Sequence, residues 1–248
     1  MVTHRFSGDY LPYLDVLVNM MNSMDFRLLR NRILFRTIDP SRVSLLEFEV
    51  RSSGEEFRDS IHIDGYDHGD DLKRIINYLG LARVKLIEFT LDGDDLIISG
   101  SGDYSVSRRL CIDEGYWLES PPDPFNEAYG EVSFRDISRL RNICSTLRDY
   151  DRVIFRVEGN KLRLIGKSSD KEIEVAYPIN ESINSNPDVS VYPSKFVKFI
   201  NYVIRRVKPK NIYSIKITWS ANKPLKIVFT TNLVKQLKYY VAPATTDL

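Results

Sequence analysis

The densest chemistry in the sequence is the run HIDGYDHGDD, residues 62–71, which places two histidines and four aspartates close together. Carboxylates and imidazoles at that density can hold a hard divalent cation and, with it, hydrolyse a phosphodiester. The spacing departs from that of a calcium-binding loop between helices. Asp70 and Asp71 stand where a helical segment should begin, and carboxylates there favour the positive end of the helix dipole. Gly65 and Gly69 then read as turn residues. A metal-dependent nuclease using residues 64–71 is kept as a distant alternative, and no bound metal is expected.

Other candidates have simpler readings. SGSGD, residues 99–103, is glycine-rich but runs into the strand-like YSVSRRL, whereas a phosphate cradle needs a helix N-terminus after the loop. A hairpin is expected there. NES at Asn180 matches a glycosylation sequon, which carries weight only on a secretory route. Cys111 and Cys144 form no C-x-x-C pair and both read as small buried hydrophobes. With three histidines in all and none spaced beside a serine or cysteine nucleophile, no catalytic residue and no cofactor is expected.

The elements that carry these residues repeat four times. Leu11, Leu14, Val18 and Met21 lie at helical spacing behind Gly8-Asp9, a plausible cap. Leu72, Ile75, Ile76 and Leu79 make a second apolar face, Ile137, Leu140, Cys144 and Leu147 a third, and Phe196, Phe199, Ile200 and Val203 a fourth, opened by Ser194. Each helix reads as one-sided. A run of short alternating strands follows every helix, with Asp92-Gly93-Asp94 marking a hairpin in the second run. Such internal repetition argues for two similar α+β domains: residues 1–112 and 131–248, joined by a linker over residues 113–130 where prolines and acids break the periodicity. Tyr116, Trp117, Leu118 and Phe125 make that linker too apolar for a plain solvated spacer.

The polar faces of the helices carry a second pattern. Arg135, Arg139, Asn142 and Thr146 oppose the third apolar stripe, Lys195, Lys198, Tyr202 and Arg205 the fourth, and Lys73, Arg74 and Asn77 the second. Solvated faces are the ordinary fate of such residues. Recurrence on equivalent helices favours one electrostatic surface that tracks phosphates without reading bases. The first helix dissents, presenting Pro12, Asp15, Asn19 and Asn22 with no cation.

One stretch is recognisable. NRILFRTIDPSRVSLLEFEV, residues 31–50, contains Ile38-Asp39-Pro40-Ser41-Arg42-Val43-Ser44-Leu45, and this resembles the "(M/I)D-x-S-x-V-(S/A)-L" segment of the sliding clamps of the proliferating cell nuclear antigen (PCNA) family. The family's C-terminal motif, a "P-(L/I)-x-(I/V)-x-(F/Y)" strand before "L-K-(Y/F)-Y-(L/V)-A-P", is similar to residues 224–229 and 237–243. This accounts for a chain end as apolar as QLKYYVAP.

The resemblance implies two DNA-clamp domains, each with two helices packed on antiparallel sheets. Three subunits, six domains in all, would close head to tail around duplex DNA without sequence preference. The function implied is that of a DNA polymerase processivity factor, with a checkpoint-type clamp as the alternative. DNA polymerase, flap endonuclease, DNA ligase and the clamp loader would dock through a peptide pocket. Carried over position by position, the pocket uses Ile38, Arg42, Val43, Leu45, Pro224, Tyr240, Val241, Ala242 and Pro243, with Trp117 and Leu118 from the linker. DNA would meet Lys73, Arg74, Asn77, Arg135, Arg139, Asn142, Lys195, Lys198 and Arg205. Subunits would join through edge strands at Tyr104, Val106, Arg108 and Leu110 in one domain and Ile173, Val175 and Tyr177 in the other. Two departures stand out: Arg42 where many clamps have histidine, and a first helix with Pro12, Tyr13 and Asn19 at positions that are commonly basic in the family. They suit one subunit of a heterotrimer as well as a homotrimer.

Composition limits the alternatives. A formal net charge of +1 points to neither nucleic acid nor membrane by itself, and no apolar run approaches the ~18 residues of a membrane helix. The opening MVTHRFSGDYLPYLD lacks the basic and apolar regions of a secretory signal. The expected location is therefore intracellular: cytoplasm or nucleoid in an archaeon, nucleus in a eukaryote.

Overall fold

A computed structural model describes residues 1–20, 23–39, 41, 43–57, 59–63, 65–114, 129–178 and 189–244. The chain divides into two compact units, Met1–Glu119 with Leu233–Leu237 and Ser120–Asn232 with Lys238–Leu248.

The first unit begins with β1 (Val2–Ser7), α1 (Leu11–Met20), β2 (Met24–Leu29), β3 (Arg32–Ile38), β4 (Ser44–Arg51) and the short β5 (Ser53–Gly54). The same order returns as β6 (Ile61–Ile63), α2 (Gly65–Leu81), β7 (Leu86–Asp92), β8 (Asp95–Ser101) and β9 (Ser105–Cys111), followed by β10 (Asp113–Glu114). The second unit repeats it twice more: β11 (Gly130–Phe134), α3 (Ile137–Leu147), β12 (Arg152–Glu158), β13 (Lys161–Lys167) and β14 (Glu172–Pro178), then β15 (Ser190–Pro193), α4 (Lys195–Val207), β16 (Ile212–Trp219), β17 (Leu225–Thr231) and β18 (Leu237–Val241). The α+β repeat read from periodicity is the architecture observed.

Each module exchanges its first strand. β1 joins the antiparallel sheet β1-β7-β8-β9, while β6 joins β6-β2-β3-β4. The second unit does the same, with β15 in β14-β13-β12-β15 and β11 in β18-β17-β16-β11. The exchange ties the two modules of a unit into one cooperative body, because neither sheet is complete without the other module.

Aromatic side chains fill each core. In the first unit Phe89 meets Phe6 at 5.0 Å and Phe26 at 5.5 Å, and Phe35 stacks on Phe48 at 4.9 Å. In the second, Phe155 meets Trp219 at 5.3 Å, and Phe199 of α4 stacks on Tyr239 of β18 at 3.7 Å. Each fully buried ring of this kind contributes about 1.5–3 kcal/mol.

The apolar faces predicted for α2, α3 and α4 are all buried. Helix α1 differs from the one-sided reading: Tyr13 to Val18 are buried without interruption, Asp15 among them at 6% exposure. A helix apolar nearly all round is covered on several sides, and Asp15 is satisfied by Asn19, whose Nδ2 lies 3.3 Å from its carboxylate. Two caps also move. Ser7, rather than Gly8-Asp9, accepts from the Asp9 amide, and a short 3-10 turn precedes α1. Ser194 opens α4 without a side-chain capping bond, whereas Asp136 caps α3 by accepting from the Arg139 amide at 2.9 Å.

The span read as linker is narrower at both ends. Asp113 and Glu114 pair with His62 and Ile61, and Gly130 already pairs with Trp219. Its remaining described residue is Tyr129; Tyr116, Trp117, Leu118 and Phe125 lie outside the described residues.

Candidate functional site

Among the described residues, the carboxylates and histidines of this run make no group that could hold a metal ion; the Asp64 and Asp67 side chains are not among them. His62 lies on β6, where its Nδ1 is 2.6 Å from Asp25 of the adjacent strand β2. Asp71 lies inside α2 and pairs with Arg108 of β9 at 2.7 Å; that guanidinium holds the Asp71 carboxyl below the usual carboxylate range. Helix α2 begins at Gly65, so Gly69 is helical rather than a turn residue, and Asp70 and Asp71 fall in its second turn. The apolar stripe Leu72, Ile75, Ile76, Leu79 recruits the preceding residues into the same helix. Asp64 lies outside the described residues.

SGSGD forms the β8–β9 hairpin. Its glycines are required by packing: a Cβ on Gly100 would stand 2.7 Å from Leu79 Cδ2, and one on Gly102 would stand 2.1 Å from the Ala82 carbonyl oxygen. Because the second obstacle is backbone, Gly102→Ala should lower unfolding free energy by about 1–3 kcal/mol in urea titration. An unchanged midpoint would show that the α2–β7 turn yields freely.

Burial pushes the Cys144 thiol far above its usual range, and pushes the Tyr192 phenol up to about 12. Cys111, expected to be buried, is exposed. On an edge strand whose even-numbered Leu110 turns into the core, its odd neighbour points outward.

The IDPSRVSL segment is a turn built on one carboxylate. Asp39 accepts from the amides of Val43 at 2.8 Å and Ser44 at 3.1 Å, and from the hydroxyls of Ser41 at 3.0 Å and Ser44 at 2.8 Å. The turn leaves Ile38 and Val43 half-buried and Leu45 buried, while Arg42 lies outside the described residues. At the other motif, Pro224, Ala242 and Pro243 are half-buried. Strand β18 runs on to Val241, and Val241, named above as a pocket residue, is fully buried beside core-facing Tyr239. Strand alternation puts both on the helix side and turns Tyr240, 8% exposed, the other way.

Strands β9 and β14 each lie at one end of their sheet, with β5 and β15 at the other ends. Tyr104 is half exposed, Val106 is half-buried, and Arg108 is exposed although paired to Asp71. Leu110 is 2% exposed and belongs to the core of its own unit, which removes it from the edge surface. On β14, Ile173 and Val175 are half-buried, and Tyr177 lies against Phe134 at 4.7 Å with the Arg139 guanidinium 4.8 Å above its ring.

Arg135, read from sequence as part of the third helix, lies before it, since α3 begins at Ile137 behind its Asp136 cap. Arg74, Asn77, Arg135, Arg139, Asn142, Lys198 and Arg205 are exposed; Lys73 and Lys195 are half-buried. Sequence reasoning missed a convergence. Arg141, Ser145 and Arg148 of the α3 side face Lys198, Asn201, Tyr202 and Arg205 of α4 across an open groove of about 250 Å³. Arg141, Ser145 and Arg148 form a row beside the one singled out above, and only the neighbouring helix tells which row lines a groove.

No helix among the described residues is long and apolar enough to cross a membrane. No protein-family profile and no curated protein matches the chain. Solved structures do. The chain is similar to PCNA from Thermococcus kodakaraensis at 18% identity and a TM-score of 0.75, covering 98% of this chain and 100% of that one. It is also similar to a chain of the PCNA2–PCNA3 complex from Sulfolobus tokodaii, at 18% identity and a TM-score of 0.72, covering 98% and 99%. At that identity the likeness establishes a shared fold over the full length of the chain.

Proposed function

We propose that this chain, which has the fold of the PCNA clamps, is a subunit of a DNA sliding clamp. It would serve as a processivity factor whose mechanism is topological, with no bond made or broken. The observation that carries the reading is the doubled unit with an open edge strand at the end of one sheet in each, β9 in the first and β14 in the second. Two different open edges on one chain make a head-to-tail contact, and a head-to-tail contact whose rotation closes gives a ring. Three subunits, identical or paralogous, would supply six such units.

Basic helices support the second half of the reading. Lys73, Arg74, Arg135, Arg139, Lys195, Lys198 and Arg205 would meet phosphates, with Asn77 and Asn142 as neutral donors, giving weak, sequence-independent contacts that permit sliding. Residues 113–130 would connect the two clamp domains. A short apolar peptide from a polymerase, flap endonuclease, ligase or clamp loader would dock on Ile38, Val43, Leu45, Pro224, Tyr240, Ala242 and Pro243; Arg42, Trp117 and Leu118, expected to join them, lie outside the described residues.

Loading onto nicked circular plasmid by a clamp loader, followed by gel filtration, tests the proposal. The chain should stay with circular DNA and run off after the plasmid is linearised. Equal loss from both forms would overturn the ring.

A further inference from the structure

Acidic residues stop at Asp188 and do not return before Asp247. The stretch between them, which holds β15, α4, β16, β17 and β18, carries eleven of the chain's 35 lysines and arginines and none of its 34 aspartates and glutamates. Helix α4 accounts for Lys195, Lys198, Arg205 and Arg206, and Lys216 is taken up by Glu131 at 2.9 Å. Lys208 and Lys210, in the connection from α4 to β16, are not absorbed in this way. Both are exposed, and neither enters an ion pair among the described residues.

This connection is held rigidly outward. Lys208 closes α4 at a φ of 70°, which glycine adopts freely and lysine only with strain. The positive φ swings the chain off the helix, so Lys208 does not continue the row of Lys198 and Arg205. A 3-10 turn, Pro209–Asn211, follows. Asn211 ties it down three times: its amide donates to the Lys208 carbonyl at 3.1 Å, its side-chain amide donates to the Val207 carbonyl at 2.8 Å, and its carbonyl accepts from the Asn232 amide at 3.1 Å.

Strand β16 then begins with a bulge. Ile212 pairs with Thr231 and Ser214 with Thr230, so Tyr213 is the extra residue. The shift lets Ile212 and Ile215 both turn into the core and leaves Tyr213 62% exposed. An apolar ring thus stands close in sequence to two unpaired lysines, on a connection that has no carboxylate of its own.

We propose that the connection from Lys208 to Tyr213 is a docking surface for an acidic segment of a partner protein, with carboxylates on Lys208 and Lys210 and one apolar side chain on Tyr213. Charge selects this occupant. A second copy of the same surface would set lysine against lysine, and a nucleic-acid backbone would occupy the lysines while leaving the Tyr213 ring uncovered. A carboxylate-rich segment with an apolar residue satisfies both. The surface is separate from the peptide site proposed above: Pro224 precedes β17 and Asn232 follows it, and six steps of about 3.4 Å put the strand's ends about 20 Å apart. It does not depend on the chain closing into a ring.

Fluorescence anisotropy on the full chain, with a labelled decapeptide of aspartates and glutamates around one phenylalanine, tests the surface. Lys208→Gln with Lys210→Gln should weaken binding about tenfold, and Tyr213→Ser about tenfold. A peptide with alanine in place of the phenylalanine should lose the same factor on the wild type and nothing further on Tyr213→Ser, which couples the ring to that side chain. No binding by the wild type, equal affinity in the lysine double variant, or a phenylalanine-to-alanine loss that is the same with and without Tyr213 overturns the proposal. A labelled duplex weakened by the lysine double variant as much as the peptide is, with Tyr213→Ser affecting neither, also overturns it and assigns the lysines to nucleic acid.

Discussion

In the proposed ring, Ser107→Pro should leave the chain folded and weaken its assembly. The reason lies in the phase of the β8–β9 ladder. The Ile112 amide donates to Asp94 at 2.9 Å and the Gly102 amide to Tyr104 at 3.3 Å, so the even-numbered residues of β9 bond to β8. Bonded and unbonded pairs alternate in an antiparallel ladder, which turns the backbone of Ser105, Ser107, Arg109 and Cys111 outward. On β14 the Ser168 amide donates to Lys171 at 3.0 Å, and the same alternation frees Glu172, Glu174 and Ala176. An antiparallel junction between copies must set odd residues of β9 against even residues of β14. The register that overlaps both strands from end to end, Ser105 opposite Pro178, has this phase. It sets Arg109 opposite Glu174, an opposite-charge pair of the favourable kind, and Val106 opposite Tyr177.

Proline at 107 therefore removes an outward N–H from the centre of the junction without breaking a bond to β8, and edge strands tolerate it on that side. Leaving the facing carbonyl of the other strand unsatisfied costs about 1–3 kcal/mol, roughly a 5- to 150-fold loss in association. Sedimentation velocity should show the wild-type oligomer replaced by monomer at micromolar concentration, with the thermal midpoint kept. A variant that sediments with the wild type would remove β9 from the junction. A wild type that is itself monomeric would assign the neighbouring positions to paralogous chains.

The readable parts of this fold are those with a local cause. Helices α2, α3 and α4 follow from an apolar residue every third or fourth position, and the β7–β8 hairpin from Gly93, whose φ of 63° suits glycine. The strand exchange has no local signal, because β1 meets β7 across most of the first unit and pairing of that kind is decided by the assembled core. Asp15 misled for a related reason: a lone carboxylate in an apolar run looks solvent-facing until Asn19 is seen to satisfy it. The IDPSRVSL motif was recognisable as a pattern, yet its physical basis, four donors converging on Asp39, needed coordinates. The groove row on α3 was invisible for a third reason. Every exposed row of an isolated helix is equivalent, and α4 alone singles out Arg141 and Arg148.

Adjacent tyrosines at the chain's end should fail in opposite ways. Tyr239 stacks on Phe199 at 3.7 Å with the rings 11° from parallel, and it is 3% exposed. Tyr239→Ala deletes half of that stack and leaves a cavity beneath α4, a loss of about 3–5 kcal/mol by analogy with other buried aromatic truncations. Urea unfolding should show it directly. Tyr240 points to the opposite face of β18, away from the α4 core, and in the proposed clamp it is an anchor for the docked peptide. Tyr240→Ala should weaken a partner peptide by about 1–3 kcal/mol, the usual cost of losing an aromatic hot spot, while Phe199 and Tyr239 keep their stack and the unfolding midpoint moves less than in Tyr239→Ala. Calorimetric titration with a single apolar-aromatic peptide separates the two. Equal peptide affinity in wild type and Tyr240→Ala would take Tyr240 out of the docking surface. A larger loss of stability in Tyr240→Ala than in Tyr239→Ala would mean that the outer ring, and not the stacked one, is the structural residue.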